Sequence, residues 1–239
     1  MVICEIMAGG TGTRMGGTAP KQFIKINDKP IIIRTLEAFI KSGKIDSFVI
    51  CAPKEHMGET NAIIKKYLCE MENIFIVSGG NDRNHSVYNG CKFAKTVLSA
   101  GDGDIIITHD AVRPFINDRI IEENINKAKE YGAATTVMPC VDTIMMSKDG
   151  VFIDGMLSRE ALVRIQTPQT FSFSLLFETF CLLNAEEIKR FTDTAGLVLS
   201  RGAKVALVKG EDYNIKITKP FDIALAKSIC DNFILYSPQ

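Results

Sequence analysis

Residues 2–23 read VICEIMAGGTGTRMGGTAPKQF. A short apolar, β-rich run breaks off into a stretch, residues 8–23, that holds five glycines together with Arg14 and, after Pro20, Lys21. Glycine permits positive φ and lets a backbone come close to a ligand. Arginine and lysine favour phosphate oxygens. Strand, glycine loop and fixed cations in that order point to a nucleotide triphosphate held just beyond the end of a strand.

The same strand signal recurs along the chain. SFVICA (47–52), IFIVSGG (74–80), DIIITHD (104–110), ATTVMPC (134–140) and KVALVKG (204–210) are short apolar runs of the kind buried on both faces of a sheet. Helical patterns lie between them at 30–43, 58–71, 86–100 and 118–132. In the last, Ile120, Ile121, Ile125 and Ala128 form an apolar stripe beside charged positions. Gly43 and Gly132 stand where helices should end. Residues 174–189 and 220–235 read as closing helices. Alternating strand and helix implies an α/β fold with a mostly parallel, doubly wound sheet. Ligands of such sheets bind beyond the carboxyl ends of the strands. The opening loop, GGNDRNHS (79–86) and HDAVRP (109–114) all fall there.

Residues 141–165, VDTIMMSKDGVFIDGMLSREALVRI, break the rhythm. They read as two strands around a KDG turn. Either this hairpin projects, and Ile144, Met145, Val151, Phe152 and Ile153 seek a partner such as another subunit, or it packs on its own domain as an edge. With no repeat, linker or low-complexity tract, residues 1–239 read as one domain with 141–165 inserted.

Composition narrows the function classes. The 239 residues are 46% hydrophobic and 23% charged, ordinary for a globular protein. Lys+Arg and Asp+Glu both total 28, so no global basic field invites nucleic acid. No apolar run approaches the ~20 residues of a membrane span. VICEIM follows the first residue without the charged and apolar regions of a signal peptide. The seven cysteines, Cys4, Cys51, Cys69, Cys91, Cys140, Cys181 and Cys230, contain no CxxC pair. They suit a reducing cytoplasm rather than a disulfide framework or zinc ribbon.

Each polar motif admits more than one role. GTGTRMG has a dinucleotide-like glycine spacing, but Arg14, Pro20 and Lys21 occupy the region where a Rossmann helix would run. It lacks the GK[ST] of a Walker loop. The amides of Gly9, Gly10 and Gly12 suit phosphates or a base edge. Asp110, at the end of a buried strand, suits magnesium, which takes one or two carboxylates and completes its shell with water and phosphate oxygens. His109 reads as a packing residue. Arg113 suits phosphate or a local carboxylate equally. Ser86 suits an N-cap; alternatively Gly80, Asn81, Arg83 and Ser86 contact a base or ribose. Lys216, between Ile215 and Ile217, reads as the solvent face of an alternating strand. Asp142-Thr143, Arg159, QTPQ (166–169) and Thr192-Asp193 are further polar signals.

Taken in order, AGGTGTRMG…PKQF, GGNDRNHSV, HDAVRPF, DTI, QTPQTF, TD and NIKITKP resemble the cytidylyltransferases that make CDP-activated polyols. The resemblance runs from the first strand to the last helix. It implies a Rossmann-like nucleotidyltransferase fold, a mostly parallel sheet flanked by helices, with a projecting β-hairpin arm that forms a homodimer. It implies CTP and a polyol phosphate as substrates and Mg2+ as the required metal. By match, Arg14 and Lys21 hold the triphosphate, Asp110 the metal, and Ala8, Gly9, Gly80, Asn81 and Ser86 the cytidine. Thr143 and Arg159 would bind the polyol phosphate, Arg159 either within its own chain or across the dimer. Lys216 would meet the α-phosphate. AGG, Asn81, DTIMMS, Leu199 and the absence of tryptophan after Arg159 depart from the methylerythritol 4-phosphate branch. The expectation is therefore D-ribitol 5-phosphate as acceptor and CDP-ribitol, a precursor for surface polymers, as product. Methylerythritol 4-phosphate is the alternative; a nicotinamide oxidoreductase and a non-catalytic nucleotide-binding protein are more distant ones.

Overall fold

The structure is a computed structural model that describes residues 1–10 and 20–236, the last four by backbone alone. Gly12 and Arg14 lie outside the described residues. In chain order the elements are β1 (Val2–Met7), β2 (Lys25–Ile26), β3 (Lys29–Pro30), α1 (Ile31–Lys41), β4 (Ser47–Ala52), α2 (Met57–Tyr67), β5 (Ile74–Ser78) and α3 (Arg83–Val97). Then come β6 (Ile105–Asp110), α4 (Asp118–Tyr131), β7 (Ala133–Pro139), β8 (Met145–Met146), β9 (Gly155–Met156), β10 (Val163–Ser172), α5 (Phe173–Leu182), α6 (Ala185–Lys189), α7 (Thr194–Leu199), β11 (Ala206–Lys209) and α8 (Pro220–Tyr236).

Seven strands form one sheet in the order β11-β7-β10-β6-β1-β4-β5. All its pairings are parallel except those of β10, which runs antiparallel between β6 and β7. The β1 and β6 strands end level, with Met7 opposite Asp110. Their alternating side chains fill two cores. On one face Cys4, Ile6, Phe48 and Ile50 meet Leu36 and Phe39 of α1 and Ile120 and Ile121 of α4. On the other, Ile3 and Val49 meet Val87 of α3, Phe173 and Phe180 of α5 and Leu197 of α7. Each such side chain contributes roughly 1.5–3 kcal/mol by burial. Glu5 is buried on the second face, where a Cβ added to Gly90 of α3 would fall 2.7 Å from Glu5 Cδ. That glycine is what lets helix and carboxyl pass so closely.

Local chemistry agrees with most of the reading. Gly132 ends α4 at φ 85°, the left-handed cap glycine tolerates best. Asn117 caps α4 by accepting from Ile120 N. At α3 the cap is Asp82, not Ser86: its carboxylate accepts from His85 N at 2.9 Å. A carboxylate at that end also complements the helix dipole. The single closing helix expected at 174–189 is two helices, α5 and α6, separated by Leu183 and Asn184. The alternating stretch around Lys216 carries no strand ladder. It is an extended loop tied by Ile217 N to Val112 O at 2.9 Å.

Only part of 141–165 forms the expected hairpin: Val163–Ile165 open β10 and pair with β7, whereas Val151, Phe152 and Ile153 near its turn are 74%, 72% and 71% exposed. Its β8–β9 ladder is only two residues a side, closed by Asp149, whose Oδ1 accepts from Val151 N and Phe152 N. No described helix is long and apolar enough to cross a membrane.

Candidate active site

Two adjoining clefts open at the carboxyl ends of the strands. The first, about 240 Å³, is lined by Gly9, Gly10, Lys21, Gly80, Asn81, Arg83, Ser86, Asp110 and Lys216, among others. The second, about 330 Å³, lies toward β10 and is lined by Arg113, Gln166, Thr167, Gln169, Thr192 and Asp193 as well as Arg83, Asp110 and Lys216. Those last three side chains belong to both.

The level ends of β1 and β6 bring the opening loop beside Asp110. Ala8 is buried and donates its N–H to Cys51 O, while Gln22 Nε2 donates to Ala8 O at 2.7 Å. That bond holds the short turn Lys21–Phe23 against β1. Lys21 then runs across Gly10, where an added Cβ would lie 2.6 Å from Lys21 Cε. Gly9 and Gly10 leave backbone facing the cleft. At the α3 entrance, Gly80 N donates to Ser86 Oγ at 3.0 Å, and Ser86 Oγ donates to Asp82 O. A side chain on Gly80 would sit 2.8 Å from the His85 carbonyl carbon, so this close turn requires glycine. Asn81 is exposed at the rim.

Asp110 is the electrostatic centre. Its Oδ2 lies 3.0 Å from Lys216 Nζ and 3.1 Å from Arg113 Nε, and its Oδ1 lies 3.7 Å from Arg83 Nε. Burial alone would raise its pKa. The nearby charges of Lys216, Arg83 and Arg113 outweigh that and hold the carboxyl far below the usual carboxylate range. Of the two roles open to Arg113, the carboxylate pair is present, and its Nη1 also donates to Asn214 O. Asn214 is fully buried and donates to Thr167 O and Gln166 Oε1, which fixes the loop that delivers Lys216. His109 is the packing residue expected. It meets Phe39 edge-on at 4.8 Å, bonds Arg113 O through Nε2, and is lowered to about 4 chiefly by burial.

Magnesium takes one or two carboxylates and leaves its other positions to water and phosphate. Asp110 is the one carboxylate lining both clefts, and no group of three His, Cys, Asp or Glu suited to a metal occurs among the described residues. That donor set fits an ion completed by a bound triphosphate, not a closed protein cage.

Three expected residues line neither cleft: Ala8 is buried just after β1, and two lie on the arm. Thr143 and Arg159 are exposed on the arm and line neither cleft of their own chain. Arg159 Nη1 approaches Val141 O at 3.4 Å. Conversely, the second cleft takes Gln166, Thr167, Gln169, Thr192 and Asp193 from the QTPQ and Thr192-Asp193 signals, which the sequence reading left without a role of their own.

Residues 2–232 match the protein-family model described as IspD: 2-C-methyl-D-erythritol 4-phosphate cytidylyltransferase. Among solved structures, the chain is similar to 4-diphosphocytidyl-2C-methyl-D-erythritol synthase from Anaerococcus prevotii DSM 20548, at 26% identity and TM-score 0.79 over 97% of this chain and 96% of that one. It is similar to 2-C-methyl-D-erythritol 4-phosphate cytidylyltransferase from Francisella tularensis, at 24% identity and TM-score 0.80 over 95% and 98%. It is also similar to the enzyme of that name from Thermus thermophilus, at 25% identity and TM-score 0.70 over 95% and 98%.

Proposed function

This chain belongs to the IspD family of CTP-dependent cytidylyltransferases, and from that premise we propose that it transfers CMP from CTP to 2-C-methyl-D-erythritol 4-phosphate and releases pyrophosphate. The observation that carries the reading is the sharing of Lys216, Asp110 and Arg83 by two clefts. A triphosphate in the first and an anionic acceptor in the second would meet beside the cations Lys216 and Arg83.

In this mechanism a phosphate oxygen of the acceptor attacks the α-phosphorus of CTP. The new P–O bond forms as the bond to the β-phosphate oxygen breaks, and pyrophosphate carries away that electron pair. A phosphate monoester is already an anion near neutral pH, so no protein nucleophile is required. The task is to hold two anions in line and offset their repulsion. Gly9, Gly10 and Gly80 admit the nucleotide to the backbone, with Ala8, Asn81 and Ser86 around the base and ribose. Arg14 and Lys21 receive the β- and γ-phosphates. Lys216 spans the α-phosphate and the incoming phosphate. Asp110 would hold Mg2+, which when bound would supply further positive charge to offset that of the phosphates.

We also infer a homodimer. The exposed apolar face of the arm suits a second copy, and Thr143 and Arg159 would then reach the partner's second cleft.

The acceptor rests on the family description and on the names of the solved relatives, which carry methylerythritol rather than the ribitol expected from sequence. D-Ribitol 5-phosphate remains a second reading for one specific reason. DTIMMS (142–147) and the missing tryptophan after Arg159 place departures from the methylerythritol pattern in the segment that would touch the acceptor. Pyrophosphate release with CTP, magnesium and each acceptor in turn tests both; silence with both would contradict the transfer itself.

A further inference from the structure

Gln169 is fully buried in β10, and its side-chain amide is bonded at both ends. Nε2 donates to Asp193 Oδ2 at 2.8 Å and approaches Thr135 Oγ1 at 3.2 Å, and Oε1 accepts from Thr194 N at 3.1 Å. Asp193 meanwhile caps α7 by accepting from Gly196 N. The start of α7 is thus fastened to the sheet by one amide group.

Thr194 passes that restraint on. Its hydroxyl accepts from Arg83 Nη1 at 2.7 Å, and Arg83 Nε faces Asp110 Oδ1 at 3.7 Å. Among the described residues, buried Arg83 Nη2 has no partner, so Thr194 is the one close bond orienting the far end of the guanidinium. The Nε–Oδ1 gap is too long for a hydrogen bond. An arginine held at that distance depends for its position on what grips its other end.

We propose that Gln169 is a positioning residue: through Asp193 and Thr194 it sets Arg83 against Asp110, and so aligns the wall of the second cleft with the charge cluster shared by both. This inference rests on the transfer reading above. The sequence reading had Arg83 as a nucleotide contact. Here it is also the link by which the acceptor side of the site is held in register with the nucleotide side. Misplacing a reacting group by about 1 Å can cost roughly 100-fold in rate.

The test is a double-mutant cycle on kcat/KM for the acceptor, with thermal unfolding of each variant alongside. Gln169→Met keeps length and removes the amide; Thr194→Val removes only the hydroxyl and leaves the bonds of Gln169 to Asp193 in place. Each single variant is expected to lose on the order of 100-fold. In an Arg83→Met background each loss should shrink to within about twofold, because the positioned group is already gone. Equal losses in both backgrounds would make Gln169 merely structural and overturn the proposal. So would a fully active Thr194→Val enzyme, which also decides the matter if Gln169→Met does not fold. A wild-type chain that releases no pyrophosphate with either acceptor overturns the transfer reading instead.

Discussion

Lys216 Nζ lies 3.0 Å from Asp110 Oδ2, the lysine reaching in from a loop and the aspartate from the end of a strand. Asp110 ends β6 and faces the site from the sheet, whereas Lys216 arrives on an extended loop pinned by Asn214 to Thr167 O. Their pairing leaves Lys216 partly open to both clefts while Arg113 shares the same carboxylate. On the proposed transfer, a lysine so placed would pass from a carboxylate to a phosphate.

Lys216→Met is therefore expected to lower kcat by about 10²–10³, the scale of losing one charge-stabilising group in a transition state. The protein should still fold, with a lowered melting temperature, since Arg113 and Arg83 still face the buried Asp110. Steady-state kinetics and a melting curve check it; near-normal turnover would remove Lys216 from the mechanism.

Gly10→Ala tests Lys21 indirectly. The added methyl would meet Lys21 Cε, which can swing aside at small cost in stability. The amine would then leave its place over the opening loop. Turnover should fall toward that of Lys21→Ala, itself expected to be down by orders of magnitude, with both proteins folded. A fully active Gly10→Ala enzyme would mean that the Lys21 position is not critical.

His109 makes a pH prediction. Its pKa is about 4 in the fold against 6.5 ordinarily, so between those values the unfolded chain binds more protons. Its contribution is complete above pH 6.5 and is lost as pH falls toward 4, amounting to about 3 kcal/mol. Glu5 has the opposite sign. Burial raises its pKa well above 4.5, so its contribution is present below 4.5 and lost as pH rises. Denaturant titrations of His109→Gln should show a flatter acid slope than wild type. Glu5→Gln should gain stability relative to wild type at pH 8. Parallel pH curves for all three proteins would contradict both assignments.

The arm predicts a coupled loss. Phe152→Asp with Ile153→Asp changes side chains already exposed, so the domain should fold unaltered. Sedimentation should move from dimer to monomer, and KM for the acceptor should rise far more than KM for CTP. A wild-type monomer with full activity would contradict the assignment of Thr143 and Arg159 to a partner's cleft.

Much of this was legible in the sequence, for physical reasons. Strands buried on both faces leave continuous apolar runs, so β1, β4, β5 and β6 stood out, and their carboxyl ends located Gly80 and Asp110. β10 did not stand out. QTPQTF is polar and carries Pro168, which ordinarily marks an edge or loop. Here the ladder breaks between Ile165 and Gln169, and the proline falls within that irregularity. Gln169 is polar yet fully buried because its partners, Asp193 and Thr194, come from distant sequence. Alternation alone makes Lys216 look like the solvent face of a strand, and only the family resemblance pointed to the site, because its place there depends on Asp110, Asn214 and Thr167 converging from three separate segments. Residues that act through long-range pairs leave no periodic trace.

The most direct measurement is pyrophosphate release with CTP, magnesium and either 2-C-methyl-D-erythritol 4-phosphate or D-ribitol 5-phosphate, run beside Lys216→Met. The account predicts release that requires CTP and a polyol phosphate together, is faster with methylerythritol phosphate, and collapses in the variant. Faster release with ribitol phosphate would keep the chemistry and transfer the assignment to the second reading. No release with either acceptor would contradict the central claim.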